Sequence, residues 1–186
     1  MENNDNSFIL ACQNGDMEQF GQLYDKYIRK IYDFIYFKTH HKETAEDLTS
    51  RTFMKAVEKL STFDTDKGTF QAWIYQIARN TVIDHYRTKK IDSNIEDIWD
   101  LSSHEDLVRD FDTREKLKSV EKYLSTLSAE QRDIVIMRVW QGMSHSEIAE
   151  ALGKTEASVK MSYSRTIRTL REKMPLAVYL TFILNL

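Results

Sequence analysis

The chain has 186 residues, 41% hydrophobic and 30% charged, with one proline and five glycines, a composition that favours an almost wholly helical protein with one or two cores. Its single cysteine, Cys12, excludes an internal disulfide and fits a reducing cytoplasm, and its polar, acidic N-terminus does not have the character of a signal peptide. The net charge of −3 argues against a protein that coats nucleic acid indiscriminately, and the five histidines lack metal-ligand spacing.

Charge is distributed unevenly along the chain. Residues 1–16 carry −3, residues 17–90 carry +3, residues 91–116 carry −6 and residues 117–174 carry +3. No stretch alternates apolar and polar residues as a strand does. We therefore predict an all-α protein with two small helical domains, 17–90 and 117–174, joined by the acidic linker 91–116. An N-terminal extension, 1–16, and an apolar C-terminal tail, 175–186, flank them.

The N-terminal extension is predicted to contain a short helix over 8–15, and the first domain to begin with a long amphipathic helix over 17–37. The His40–His41 pair is expected to be a solvated helix end. A further helix over 44–60 opens with Thr44 as its cap. Its predicted core face comprises Leu48, Phe53, Ala56, Val57 and Leu60, and its opposite face carries Asp47, Ser50, Arg51, Met54 and Glu58.

The segment 61–69 is the least helical part of this half, yet it contains an aromatic residue, Phe63, between polar neighbours. Phe63 either plugs the core or forms an aromatic wall for an unstacked base. The helix predicted over 69–90 has a buried face of Phe70, Ile74, Ile77, Ala78 and Ile83. Its second face offers stacking groups, amides and cations, which suit single-stranded DNA: Trp73, Tyr75, Arg79, Asn80, Asp84, Arg87, Lys89 and Lys90. Trp73 suits the core equally well.

The second domain is predicted to place a helix-turn-helix on two platform helices, 118–127 and 128–141. Ser144 with Glu147 forms a capping box, Gly153 ends the first helix, and Thr155 caps the second. The buried stripe of the second helix is Val159, Tyr163 (or Ser162), Ile167 and Leu170. Such a helix lies in the DNA major groove, and this one exposes Lys160, Ser164, Arg165 and Arg168. The alternative is an ordinary helical hairpin with a solvated basic face.

After Pro175, which stops or kinks a helix, the sequence is strongly apolar for about a dozen residues. That length is short of the roughly 20 residues that span a bilayer. We expect the tail to pack back onto a domain, and partner docking or membrane contact stay open as alternatives.

Three segments in this order resemble a bacterial RNA polymerase sigma factor of the extracytoplasmic-function group of the sigma-70 family. AEDLTSRTFMKA (45–56) is similar to that family's core-polymerase-binding helix, and FQAWIYQIARNTVIDHYR (70–87) to its promoter-melting helix. Residues 127–172 are similar to its promoter-binding C-terminal domain. The resemblance covers about residues 17–90 and 117–174.

The resemblance implies a non-enzymatic cytoplasmic protein without cofactor or small-molecule substrate. Its partners would be core RNA polymerase (the clamp of the largest subunit and the flap of the second-largest), promoter DNA and an anti-sigma factor. The residues implied to contact the clamp are Asp47, Ser50, Arg51 and Met54. Those implied to capture and hold the melted minus-ten strand are Phe63, Asp64, Lys67, Gly68, Trp73, Tyr75, Arg79 and Asn80. Those implied to bind the minus-thirty-five element are Thr155, Ser158, Lys160, Met161, Ser164 and Arg165. The linker would lie in the RNA-exit path.

Three departures from the family pattern are visible. Ser50 and Arg51 stand where Gln and Glu are common, Met161 and Ser162 replace the usual Ser and Arg, and the apolar tail has no counterpart.

Two rival functions remain: a dimeric helix-turn-helix regulator that acts without polymerase, and a helical adaptor that binds only protein. An enzyme is disfavoured because no nucleophile constellation or phosphate loop is present.

Overall fold

The computed structural model describes residues 4–89, 120 and 122–184. Within these residues the secondary structure is helical and contains no strand, which confirms the predicted all-α class. The chain divides into two compact units, residues 1–103 and 104–186. The predicted acidic linker, 91–116, lies outside the described residues.

Within residues 4–89, the first unit packs four helices around one core. They are α1 (Asp5–Gln13), α2 (Phe20–Thr39), α3 (Lys42–Lys59) and α4 (Phe70–Lys89), with 3-10 turns at Met17–Gln19 and Leu60–Thr62. Helices α2, α3 and α4 contact one another in all three pairings. Large apolar side chains fill the space between them because each helix presents one apolar face: Leu23, Tyr27, Ile31, Phe34, Leu48, Phe70 and Ile74 are at most 1% exposed.

The N-terminal helix α1 is an integral part of this unit. The carboxylate of Asp5, 1% exposed, accepts a hydrogen bond from the Tyr27 hydroxyl at 2.6 Å and pairs with Lys26 Nζ at 2.5 Å. Further along the helix, Ile9 and Cys12 are buried, and burial raises the pKa of the Cys12 thiol. Residues 5–13 therefore share the core of the domain that follows them.

Several predictions about the first unit were wrong in detail. His41, not Thr44, caps α3: its Nδ1 accepts a hydrogen bond from the Thr44 amide at 3.2 Å. His40 is buried rather than solvated and ends α2 with a left-handed φ of 48°. Val57 and Ile83, predicted to be buried, are 40% and 44% exposed. An imidazole can act as a cap without belonging to the usual Ser, Thr, Asp and Asn set.

The second unit contains α5 (Ala129–Val139), α6 (His145–Leu152), α7 (Glu156–Lys173) and α8 (Leu176–Leu184). Ser128 caps α5 through a full capping box with Gln131. The structure therefore confirms Ser128 as the cap of this helix. The core is assembled from segments that are distant in the sequence: Val120, Leu124, Leu127, Val135, Leu170, Met174 and Phe182.

The C-terminal tail packs back onto this unit, as expected. Phe182 on α8 is fully buried, and its ring meets that of Trp140 edge-on at 5.4 Å. Met174 adopts an extended conformation before Pro175 and so separates α7 from α8. In the described part of the chain, the length and apolar content needed to cross a membrane are not combined in any helix.

We expect Phe182→Ala to destabilise the second unit by about 3 kcal/mol, because it empties a filled core position. Urea unfolding followed through Trp140, with Trp73 and Trp99 replaced by Phe, measures this change. Leu180→Ala is the matched control: Leu180 is 45% exposed on the same helix, so its truncation should cost less than about 1 kcal/mol. Equal destabilisation by the two variants would contradict the packing of α8.

Candidate nucleic-acid and protein interfaces

An aromatic cluster lies where the loop after α3 meets the start of α4. The ring centroid of Phe63 is 4.8 Å from that of Trp73 and 6.2 Å from that of Phe70, and Phe70 and Trp73 are 5.6 Å apart. Phe70 is fully buried, whereas Phe63 and Trp73 are half-buried. The Phe63 ring therefore packs against the core, as the first alternative predicts, while part of it remains accessible; its role as a wall for an unstacked base stays a prediction.

The loop beside this cluster is held in a compact turn. The Asp64 carboxylate pairs with Lys67 Nζ at 2.8 Å and accepts a hydrogen bond from the Asp66 amide at 3.0 Å, while the Lys67 amide donates to the Asp64 carbonyl at 3.1 Å. The bond from Lys67 lowers the pKa of Asp64, and Asp64 in turn raises the pKa of Lys67. Gly68 follows the turn, half-buried. The loop thus presents an internally paired surface rather than an isolated cation.

On α4, the exposed Asn80 and the half-buried Trp73 and Arg79 have the accessibility that a binding role requires. Trp73 and Asn80 are seven residues apart, two helical turns, so they share a face about 10 Å apart along the axis. The prediction for Tyr75 was wrong. Tyr75 is fully buried, with its ring edge-on to Phe34 at 5.1 Å, and burial raises its pKa well above the usual value. Its hydroxyl suggested an exposed position, but it lies on the core side of α4 with Ile74 and Ala78.

An open apolar groove of about 460 Å³ runs between α2 and α3. Of the four residues predicted for protein contact, Ser50 and Met54 line it, and Met54 is 63% exposed. Asp47 and Arg51 are exposed on the same helix and form a bidentate ion pair, Nη2 to Oδ2 at 3.0 Å and Nε to Oδ1 at 3.1 Å. The remaining lining residues are Phe20, Tyr24, Phe53, Val57 and Glu58.

A second groove, lined by Tyr24, Ile28, Arg29, Tyr32, Glu46, Thr49 and Ser50, adjoins the first and shares Tyr24 and Ser50 with it. The contribution of α2 to this surface was not predicted. For α3 the available signal was the spacing of the apolar Met54 and Val57, which are three residues apart and so lie on one side of the helix.

The helix-turn-helix in the second unit has the caps that its sequence predicts. Ser144 Oγ accepts from the Glu147 amide at 3.1 Å, and Glu147 Oε2 accepts from the Ser144 amide at 2.8 Å. Gly153 adopts a left-handed conformation with φ 64°, and Thr155 Oγ1 accepts from the Ser158 amide at 3.3 Å. The turn before α6 has a further clamp that sequence analysis missed: Arg138 Nη1 donates to the Met143 carbonyl at 2.7 Å.

Helix α7 buries one stripe and exposes another. Val159, Thr166 and Leu170 are buried, and Tyr163 and Ile167 are half-buried. All six residues predicted for duplex contact are exposed: Thr155, Ser158, Lys160, Met161, Ser164 and Arg165. The structure therefore gathers these six side chains on the solvent side of one helix and its cap.

Residues 23–91 match the family model described as Sigma-70 region 2, and residues 117–170 match Sigma-70, region 4. The chain belongs to the sigma-70 family. It is 33% identical over 174 residues to the ECF RNA polymerase sigma factor BldN of Streptomyces coelicolor, covering 90% of this chain and 64% of BldN. It is 31% identical over 160 residues to the RNA polymerase sigma factor YlaC of Bacillus subtilis, covering 82% of this chain and 90% of YlaC.

Two solved structures share the fold. CnrH, solved in complex with the cytosolic domain of CnrY, gives a TM-score of 0.71 at 22% identity, over 91% of this chain and 96% of that one. The second structure is the sigma factor RpoE from Bartonella quintana in complex with the anti-sigma factor NepR. Its TM-score is 0.67 at 25% identity, over 83% of this chain and 96% of that one. The predicted resemblance to the extracytoplasmic-function group is confirmed.

Among the groups of region 4 with a shifted pKa, which include Arg132 and Tyr163, one is a histidine. His145 begins α6, its ring is 5.4 Å from that of Tyr163, and its Nε2 has no hydrogen-bond partner within the described residues. Burial lowers its pKa below the usual 6.5, the positive charges of Arg138 and Lys160 lower it further, and Glu156 opposes them. The folded domain therefore favours the neutral imidazole.

We expect region 4 to lose stability as the pH falls below about 6.5, because the unfolded chain then binds a proton that the folded His145 resists. The contribution is fully present above that pH. Urea unfolding of region 4 at pH 7.5 and 5.5 measures it, and His145→Gln should show a smaller difference between the two pH values. An unchanged difference in that variant would contradict the assignment.

Proposed function

We propose that this sigma factor docks on the clamp of the largest subunit of core RNA polymerase through the α2–α3 groove. Its exposed Met54 and Val57 supply apolar area in a concave site, the type of feature that anchors protein interfaces. The paired Asp47 and Arg51 contribute a polar rim. Because Ser50 and Arg51 differ from the family pattern, we assign the affinity to the apolar groove and the orientation to the rim.

The observation that carries the promoter-opening role is the half-exposed Phe63–Trp73 pair on a fully buried Phe70. A base leaving the minus-ten duplex loses its stacking, which costs a few kcal/mol, and an aromatic wall offsets that cost. Asn80 provides an amide for the base edge on the same side of α4 as Trp73. Arg79 contributes positive charge for the strand, and Lys67 does so when a strand phosphate replaces Asp64 as its partner. The Asp64–Gly68 turn closes the site.

The upstream role belongs to α7. A rigid helix with donors at fixed spacing reads base edges in the major groove, and Lys160, Ser164 and Arg165 supply such donors. Thr155 and Ser158 lie at the N-terminus of α7, where amides and hydroxyls favour phosphate. Met161, 52% exposed, suits apolar contact with a thymine methyl group. We infer that these residues bind the minus-thirty-five element.

The same proposal includes the flap of the second-largest polymerase subunit and an anti-sigma factor as partners, the latter supported by the anti-sigma complex in which RpoE was solved. It assigns no catalysis, cofactor or small-molecule substrate to the chain and places it in the cytoplasm, where polymerase acts. Membership of the sigma-70 family does not favour an operator-binding dimer or a protein-only adaptor.

We expect Phe63→Ala to slow promoter opening about tenfold or more, since a base–aromatic stack contributes about 1–3 kcal/mol. Polymerase reconstituted from purified core and this chain, assayed for permanganate-reactive thymines in the minus-ten element, measures opening. Asn80→Ala should act in the same direction. Ser61→Ala, at an exposed position before the loop, is the control. Equal opening by Phe63→Ala and Ser61→Ala would remove the basis for the proposed base capture.

A further inference from the structure

The side chain of Gln13 connects α1 to the loop that carries Phe63. Its amide nitrogen, Nε2, donates to the Leu60 carbonyl at 2.9 Å and to the Phe63 carbonyl at 2.7 Å. The acceptors lie 47 and 50 residues further along the chain. Gln13 also lies outside the segment that matches the region 2 family model, which begins at residue 23.

The two acceptors define where the chain leaves α3. Leu60 opens the 3-10 turn after that helix, and Phe63 is the first extended residue beyond it, with φ −73° and ψ 130°. Carbonyls at a helix end lack the usual partner within the helix. The Leu60 carbonyl accepts one hydrogen bond from the Phe63 amide at 3.1 Å, which leaves its second lone pair and the Phe63 carbonyl for the Gln13 amide. A primary amide carries two N–H donors in a fixed plane, so one side chain can satisfy both carbonyls. The amide thereby fixes the backbone of the residue whose ring lies against Trp73.

The donor itself is anchored. One end of α1 is held to α2 by the Asp5 carboxylate, which bonds Lys26 and the Tyr27 hydroxyl. Its middle is held by the buried Ile9 and Cys12. Since Gln13 is the last residue of this anchored helix, its amide reaches the loop from a fixed support.

We propose that Gln13 is a positioning residue for the minus-ten base pocket: by fixing the Phe63 backbone from α1, it holds the Phe63 ring in place against Trp73, 4.8 Å between ring centroids. This inference rests on the proposed role of Phe63 in base capture. Gln13 contacts no DNA in this scheme and acts only through Phe63. Its loss should relax base discrimination at the captured position more than it reduces core binding or duplex binding.

The test compares Gln13→Met with Ile9→Val in reconstituted polymerase. Met keeps the length and flexibility of Gln but has no donor, whereas Ile9→Val loosens the same helix through its core. Open-complex formation is measured on promoters that carry each of the four bases at the minus-ten position where Phe63→Ala has its largest effect. Melting temperatures and binding to core polymerase are measured alongside, so that loss of folding is separated from loss of discrimination.

We expect Gln13→Met to reduce discrimination between the best and worst base about fivefold, the effect of losing hydrogen bonds to the loop. Ile9→Val should keep the wild-type discrimination between bases, even though its melting temperature is expected to equal that of Gln13→Met or to be lower. Gln13→Lys, whose ammonium group can donate to both carbonyls, should restore part of it.

Wild-type discrimination by Gln13→Met, or an equal loss in Ile9→Val, would overturn the inference. If Phe63→Ala leaves opening unchanged at every base, the proposed base capture is wrong, and the inference about Gln13, which rests on it, is wrong too. If Phe63→Ala slows opening but Gln13→Met keeps wild-type discrimination, only the inference about Gln13 is wrong.

Discussion

Replacing both Lys160 and Arg165 with alanine should lower the affinity of the polymerase holoenzyme for minus-thirty-five duplex about 100-fold. Both side chains are exposed on α7. A good contact to a base edge contributes about 1–3 kcal/mol, and each phosphate contact adds a salt-dependent increment. Fluorescence anisotropy with a duplex that carries only the upstream element measures the loss, and binding to core polymerase should stay unchanged.

The matched control is Arg171→Ala with Lys173→Ala, which removes the same charge from exposed positions in the last turn of α7. If α7 reads the duplex with its first three turns, this control should lower affinity only a few-fold. Equal losses in the two double variants would show that total positive charge, not the placement of Lys160 and Arg165, determines binding. A parallel fall in core binding would contradict the assignment of α7.

Met54→Asp should weaken binding to core polymerase more than about 100-fold. Met54 is 63% exposed in an apolar groove, so a partner that covers it would have to bury an unpaired carboxylate, which costs several kcal/mol. The free chain should remain folded, because the new side chain is exposed there. Binding is measured by titrating labelled chain with purified core, and folding by the melting temperature.

Gln22→Asp is the control for the change of charge. Gln22 is exposed on α2 and is not among the residues that line either groove. The Gln22→Asp variant should bind core polymerase as tightly as the unsubstituted chain does. Tight binding by Met54→Asp would exclude the α2–α3 groove as the docking surface and would direct attention to the Asp47–Arg51 side of α3.

Local chemistry made the helix-turn-helix predictable from sequence. The capping box of Ser144 and Glu147, the left-handed Gly153 and the Thr155 cap each involve residues three positions apart or a single backbone angle. Such features do not depend on the rest of the fold. The exposed face of α7 followed directly, because the caps set where the helix begins and periodicity sets which side is buried.

Features that depend on contacts between distant segments were not predictable. The burial of Tyr75 depends on Phe34 from α2, and the groove around Met54 needs Tyr24 from the same helix. The role of Gln13 requires knowledge that α1 returns to the end of α3. For the tail, length and composition predicted packing, but only the folded core shows that Phe182, rather than Leu180, fills it.

The division of the promoter between two domains can be measured with one selection. Reconstituted polymerase initiates transcription on a library randomised at both promoter elements, and the initiated sequences are compared among the unsubstituted chain, Phe63→Ala and the Lys160→Ala, Arg165→Ala double variant. We predict two separate blocks of sequence preference, with the first variant losing only the downstream block and the second only the upstream block. Loss of both blocks in either variant, or a single block in the unsubstituted chain, would contradict the account.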